Sequence, residues 1–278
     1  MSSFVLLISL FGLVGNGAVI WLLGVRMKRN PFTTYILNLS IADFGVLFSV
    51  NAAIFGDPEN FNNGSHAPLY FALVFELFFF TFSTGQFLLV AISMDRCAVI
   101  LFPLWHRCHR PPHLSTLVCS LIWILSFLLS GIHFTLFLTQ SLGDSLFLYQ
   151  LIVNALLCTP LMVLSTLTLF IKVCCKSASK SSFQHRGKLV TVILLTLLFF
   201  LLLAFPLNTI YAITYFSSVL HRDLMASSLI CACLNSSVNP LIYFLVGGRQ
   251  KKGQQRLSMK VVLQRVFKDD EERLERQA

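Results

Sequence analysis

The sequence predicts an all-α fold, a seven-transmembrane helix bundle followed by a short amphipathic cytoplasmic helix. Three observations carry this. Hydrophobic residues make up 56% of the chain and charged ones 12%, with a mean hydropathy of +0.76, a balance far from that of a water-soluble domain of this length. Apolar runs long enough to cross a bilayer as helix, which takes about 20 residues, recur along the chain. The basic residues fall between these runs, nearly all on alternate connections.

The first run, 3–25, is followed by Arg26, Lys28 and Arg29. Its positive charges come after the apolar stretch and the stretch is long, so it reads as a retained anchor and not a cleavable signal. The second run, 32–55, carries Asp43 near mid-membrane. The connection after it holds Asn63-Gly64-Ser65, a glycosylation acceptor. The third run, 69–102, closes on Asp95 and Arg96, and Arg107 and Arg110 follow. The fourth is 115–138 and the fifth 147–173. Beyond the fifth lie Lys172, Lys176, Lys180, Arg186 and Lys188, before a sixth run at 189–216 and a seventh at 224–246. Nine further basic residues lie after 246, whereas the opposite connections hold only Arg222. Lys and Arg stay cytoplasmic on insertion, so the amino terminus is expected outside, the tail inside, and Asn63 on the outer side where glycosylation occurs. Residues 1–246 form the seven-span unit and 247–278 a cytoplasmic segment.

The net charge of +9 is therefore mostly topology. A soluble nucleic-acid binder would spread such charge over a polar surface, so no nucleic-acid partner is expected. None of the eight cysteines falls in an outer connection, which excludes a disulfide framework. Cys174 and Cys175 stand beside Lys172 and Lys176 at a membrane edge, where acylation or an unmodified pair both fit.

Polar groups inside apolar spans are costly and by default mark function. Asn16, Asp43, Asn235, Ser236 and Asn239 are the ones able to converge. Asp43 needs polar partners or a cation to stay charged; a bound sodium ion is one solution, and a hydrogen-bonded cluster that merely joins helices is the other. Pro160, Pro206 and Pro240 each remove a backbone donor within a span and so mark kinks.

Gly15-Asn16, Leu39-Ser40-Ile41-Ala42-Asp43, Asp95-Arg96-Cys97, Trp123 and Asn239-Pro240-Leu241-Ile242-Tyr243 stand in order on spans one, two, three, four and seven. Together they resemble a rhodopsin-like G-protein-coupled receptor, and WLLGVRMKRNPF, LFPLWHRCHRP, NSSVNPLIYFLVG and SMKVVLQRVFKD resemble the Mas-related family within that class. The resemblance implies a receptor that passes an extracellular signal to a heterotrimeric G protein from the plasma membrane. It also implies that Asp95 holds Arg96 at rest, that Arg96 swings toward the G protein on opening, and that Leu104, Asn239, Pro240 and Tyr243 take part. The sequence departs from the class at Ala204, two residues before Pro206, where a tryptophan is usual; at Arg186, where a glutamate often latches the third-span arginine; and at Thr168, where a tyrosine is common. These departures predict a weakly latched resting state. Phe71 replaces one cysteine of the usual outer disulfide.

For the ligand, Phe78 stands where amine receptors carry an aspartate, which disfavours a monoamine. His133 and Leu148 stand where cation-binding relatives have acids. A pocket is expected from Glu76, Phe78, Phe82, His133, Asn154, Tyr211 and Tyr215, with Glu76 as its leading residue, suited to a small apolar or peptide ligand. The basic tail segment matches a helix laid on anionic inner-leaflet lipids. Ser258 is its one hydroxyl, so arrestin engagement is expected to be weak. No phosphate loop or hydrolytic motif points to an enzyme. The rival readings are a seven-span protein that is silent or acts through a partner receptor, and a small transporter, against which stands the lack of an internal repeat.

Overall fold

A helix in lipid turns its oily face outward, and α1 (Ser2–Trp21) does so. Phe4, Leu7, Phe11 and Val14 are exposed at helical spacing, whereas Val5, Ser9, Asn16 and Val19 are buried on the other side. The inward face thus carries the small and polar groups, which let backbones approach and give amides and hydroxyls partners away from hydrocarbon. In the computed structural model the described residues are 2–27, 30–56, 67–102, 108–111, 113–139, 158–176 and 222–248.

The last turn of the first span, Leu22–Arg26, is π-helical, and the chain then extends at Met27. Arg26 lies over the Trp21 ring at 4.9 Å, which holds its charge against an aromatic face. A new helix, α2 (Pro31–Phe55), starts at once because Asn30 caps it. The Asn30 side chain accepts from the Thr33 N–H at 2.7 Å, and Thr33 Oγ1 accepts from the Asn30 N–H at 2.8 Å. Pro31 sits at the first helical position, where its missing N–H has no intrahelical acceptor to lose. There follow α3 (Ala67–Leu101), α4 (Leu114–Leu138), α5 (Thr159–Lys176) and α6 (Arg222–Gly248).

All described secondary structure is helical, and where both ends are described the helices match the expected spans to within about two residues. Among the described residues, Ser3–Arg26, Pro31–Phe55, Leu69–Val99 and Leu114–Leu136 are long and apolar enough to cross a bilayer. Thr159–Thr168 and Leu229–Tyr243 are shorter apolar stretches. Helix α6 corresponds to the seventh expected span. The start of the fifth span, the whole of the sixth and the segment after 248 lie outside the described residues. Pro160 lies in α5 and Pro240 inside α6.

Helix α2 is the centre of the described bundle, packing on α1, α3, α4 and α6, while α3 also meets α4 and α5 and α1 meets α6. Leu39, Leu47, Leu88, Leu89, Met162 and Tyr243 fill the core. Two glycines within helices set close approaches between neighbours. A side-chain carbon on Gly12 would collide with Ser237 of α6 and come within 2.6 Å of Leu47 of α2, and one on Gly45 would collide with Thr81 of α3. These helices meet where they do because nothing but hydrogen occupies the gap.

Candidate functional site

The polar residues of three helices meet at one depth. Asp43 is 4% exposed on α2, and Asn239 of α6 donates to its Oδ2 at 2.7 Å. Ser236, one turn earlier on α6, is buried beside that carboxylate. Pro240 cannot donate to the carbonyl four residues before it, which is that of Ser236, so this acceptor is left open inside the helix. Asn16 of α1 takes it, donating from Nδ2 at 2.9 Å and to Gly12 O at 3.0 Å. The proline in α6 and the asparagine in α1 are thus two halves of one junction. Asn16 Oδ1 is buried without a hydrogen-bond partner among the described residues. Asn235 is buried on α6 but joins none of these bonds among the described residues.

A second polar layer was not anticipated. Ser9 donates to Asn51 Oδ1 at 3.2 Å, and Ser237 donates to Ile8 O at 3.2 Å, tying α1 to α2 and α6. Serine and asparagine are common in any chain, and only their facing positions single these out. Asn38 is similar. Its side-chain oxygen accepts from Trp123 Nε1 at 2.9 Å and joins α2 to α4.

At one end of α3, Asp95 and Arg96 are arranged differently from the expectation. Arg96 Nε stands 4.0 Å from Asp95 Oδ2, the limit of an ion pair, while Arg110 Nη2 meets Asp95 Oδ1 at 2.7 Å. The reason is direction: adjacent residues on a helix point about 100° apart, whereas Arg110 approaches from the α3 to α4 connection. The Arg96 guanidinium lies over the Phe32 ring of α2 at 4.0 Å. Pro240 and Tyr243 are buried on α6. Thr168 on α5 bonds within its own helix, to Leu164 O at 2.8 Å.

Toward the other end of α3, Glu76 faces α4. His133 Nδ1 lies 2.7 Å from Glu76 Oε2, and Ser130 donates to Oε1. Both carboxylate oxygens are therefore engaged by the neighbouring helix. Phe79 lies against the His133 ring at 5.7 Å. Phe78 and Phe82 stack at 5.6 Å and are each 3% exposed, packed within the bundle. The structure thus brings Glu76 and His133 together and sets Phe78 and Phe82 beside them on α3. Leu104, Asn154, Tyr211, Tyr215 and Asn63 lie outside the described residues, as do Arg186 and Ala204.

A bundle joined through Asn16, Asp43 and Asn239, with an acid and arginine closing its third span, invites comparison with known proteins. The profile of the 7 transmembrane receptor (rhodopsin family) matches residues 15–243. The chain is 37% identical to the proto-oncogene Mas of Rattus norvegicus over 270 residues, covering 95% of this chain and 82% of that protein. It is 39% identical to the Mus musculus proto-oncogene Mas over 275 residues, with the same coverage. Against Mas-related G-protein coupled receptor member D of Homo sapiens it is 36% identical over 281 residues, covering 98% and 86%. These matches run through every helix described above, and the chain accordingly belongs to the rhodopsin-like family of seven-transmembrane receptors, in its Mas-related branch.

Proposed function

We propose that this multi-pass receptor sits in the plasma membrane with its amino terminus outside and passes an extracellular signal to a heterotrimeric G protein at the Arg96 end of α3. The observation that carries this reading is the state of Arg96. Its guanidinium lies over the Phe32 ring at 4.0 Å and its contact with Asp95 is a long one, 4.0 Å, at the end of α3 that the basic connection adjoins. Asn239 and Tyr243 of α6, with Leu104 after α3, complete the coupling set. The ligand, a peptide or small molecule, enters at the Glu76 end. Since Glu76 is engaged by His133 and Ser130, its role there is to shape the wall between α3 and α4 as much as to meet a ligand. The basic tail rests on anionic inner-leaflet lipids, and arrestin engagement is weak.

The test is expression of the full chain at high surface density with calcium and cyclic-nucleotide readouts, unstimulated and with serum. Signal in either state supports coupling. Silence in both, with surface receptor verified, refutes it and favours a partner-dependent or silent protein. An amino-terminal epitope stained on intact cells checks orientation.

The Asp43 cluster is assigned a sodium ion. Asp43 supplies the negative charge, Ser236 a hydroxyl oxygen, and the orphaned Asn16 Oδ1 is an oxygen in want of a donor or cation in the same polar layer. Sodium would supply positive charge that offsets a carboxylate buried in hydrocarbon. Asn239 and Asn16 themselves hold α6 to α2 and α1, so that movement of α6 has to disturb this junction.

A further inference from the structure

We propose that Arg110 is a positioning residue for G-protein coupling, which acts by holding Asp95 away from Arg96. The geometry is a competition for one carboxylate. Arg110 Nη2 has the short contact, 2.7 Å to Oδ1, and Arg96 Nε the long one, 4.0 Å to Oδ2. The second carboxylate oxygen, Oδ2, is buried without a hydrogen bond among the described residues. Arg110 is well placed to win. Its side chain and that of Asp95 are each 9% exposed, so the pair is shielded from water and salt and is stronger than a surface pair.

Arg110 is also fixed from a second side. The same nitrogen donates to Ser115 Oγ at 2.7 Å, and Ser115 is 3% exposed in the first turn of α4. One residue of the α3 to α4 connection thus ties the end of α3 to the start of α4. Arg96 meanwhile lies over Phe32 of α2. Without the Arg110 cation, the nearest positive charge to Asp95 among the described residues is Arg96. A side-chain movement of about 1 Å brings their 4.0 Å separation to charge-assisted hydrogen-bond length. Asp95 then latches Arg96. Arg110 is in this sense an antagonist of the latch.

The inference rests on the proposed coupling at Arg96, and its test separates the two. Membranes holding the full chain at matched surface density are assayed for ligand-independent nucleotide exchange on a panel of purified heterotrimeric G proteins. Arg110→Gln is expected to lower exchange about threefold or more, in the range set by coupling between contacting residues. Arg110→Lys keeps most of the wild-type rate. Asp95→Asn keeps at least the wild-type rate, and the double variant Asp95→Asn with Arg110→Gln matches Asp95→Asn alone, since the acid Arg110 restrains is gone. Exchange by Arg110→Gln at or above wild type overturns the proposal, as does an equal fall in the Asp95→Asn background. A second measurement stands if no variant, wild type included, shows exchange. The stability coupling of Asp95→Asn with Arg96→Gln, from detergent unfolding of purified receptor, is measured with arginine and with glutamine at 110. Coupling that grows when Arg110 is replaced upholds the competition, even where coupling to G protein fails; coupling that stays constant overturns it.

Discussion

Gly12→Ala adds one methyl group and is expected to destabilise the bundle, although alanine is the better helix former. The added carbon would lie 2.9 Å from Ser237 Cβ and 2.6 Å from Leu47 Cδ1, and would collide with Ser237 Oγ. Leu47 can rotate. The Ser237 hydroxyl can also rotate, but it then leaves its 3.2 Å bond to Ile8 O, worth about 0.6 kcal/mol in a membrane protein. Ser237 Cβ is fixed to the backbone, so α1 and α6 must separate, and overpacking of this kind costs about 1–3 kcal/mol. Against this, replacing a helical glycine by alanine gains about 1 kcal/mol. The net loss is about 0.6–2.6 kcal/mol, with the upper half favoured because Asn16 must follow α1 and weaken its 2.9 Å bond to Ser236 O. The assay is SDS unfolding of purified receptor in mixed micelles. Gly131→Ala is the control, since nothing lies within 4 Å of a carbon added there, and it should leave stability unchanged or raise it by up to about 1 kcal/mol. If Gly12→Ala is as stable as Gly131→Ala, the close approach of α1 and α6 described here is wrong.

The remaining predictions are briefer. Asn38→Ala and Trp123→Phe should each cost about 0.6–1.7 kcal/mol, and the double variant less than their sum, because both remove the same 2.9 Å bond; fully additive losses would show that the two do not meet. Glu76→Ala should destabilise by about 1–2 kcal/mol through loss of the His133 and Ser130 bonds. If Glu76→Gln and Phe78→Ala leave both stability and the potency of a discovered agonist untouched, the pocket assignment is wrong. Sodium, in place of choline, should raise the melting temperature of wild type and not of Asp43→Asn; equal shifts would dismiss the cation site. Asn63→Gln should remove a glycosidase-sensitive gel shift, and a wild-type chain without that shift would count against the outward placement of this connection.

Much of the helical plan was legible because lipid imposes a simple rule: a spanning segment must be helical, apolar and about 20 residues long. The limits of α2, Pro31–Phe55, follow from Asn30, Pro31 and Thr33, a capping signal plain in the sequence. The convergence of Asn16, Asp43, Ser236 and Asn239 could also be expected, since buried polar groups in a membrane seek one another. Arg110 could not be singled out. Its sequence shows only one basic residue among several in a cytoplasmic-type connection, and nothing local separates a headgroup contact from a buried ion pair. Asn38, Ser9 and Asn51 were likewise hidden, because which face of each helix turns inward depends on the neighbours.

The sequence by itself determined the solvent, the expected number of spans and the residues that cannot remain alone in hydrocarbon, since each of these depends only on composition and on the period of one helix. Tertiary structure alone decided who answers whom: that Asn16 fills the carbonyl vacated by Pro240, and that Asp95 turns to Arg110 in preference to its neighbour in the chain. The reason is that partnership across a bundle is fixed by the angle and distance at which helices pass, and these come from packing at points such as Gly12 and Gly45, where the absence of a side chain matters more than the presence of one.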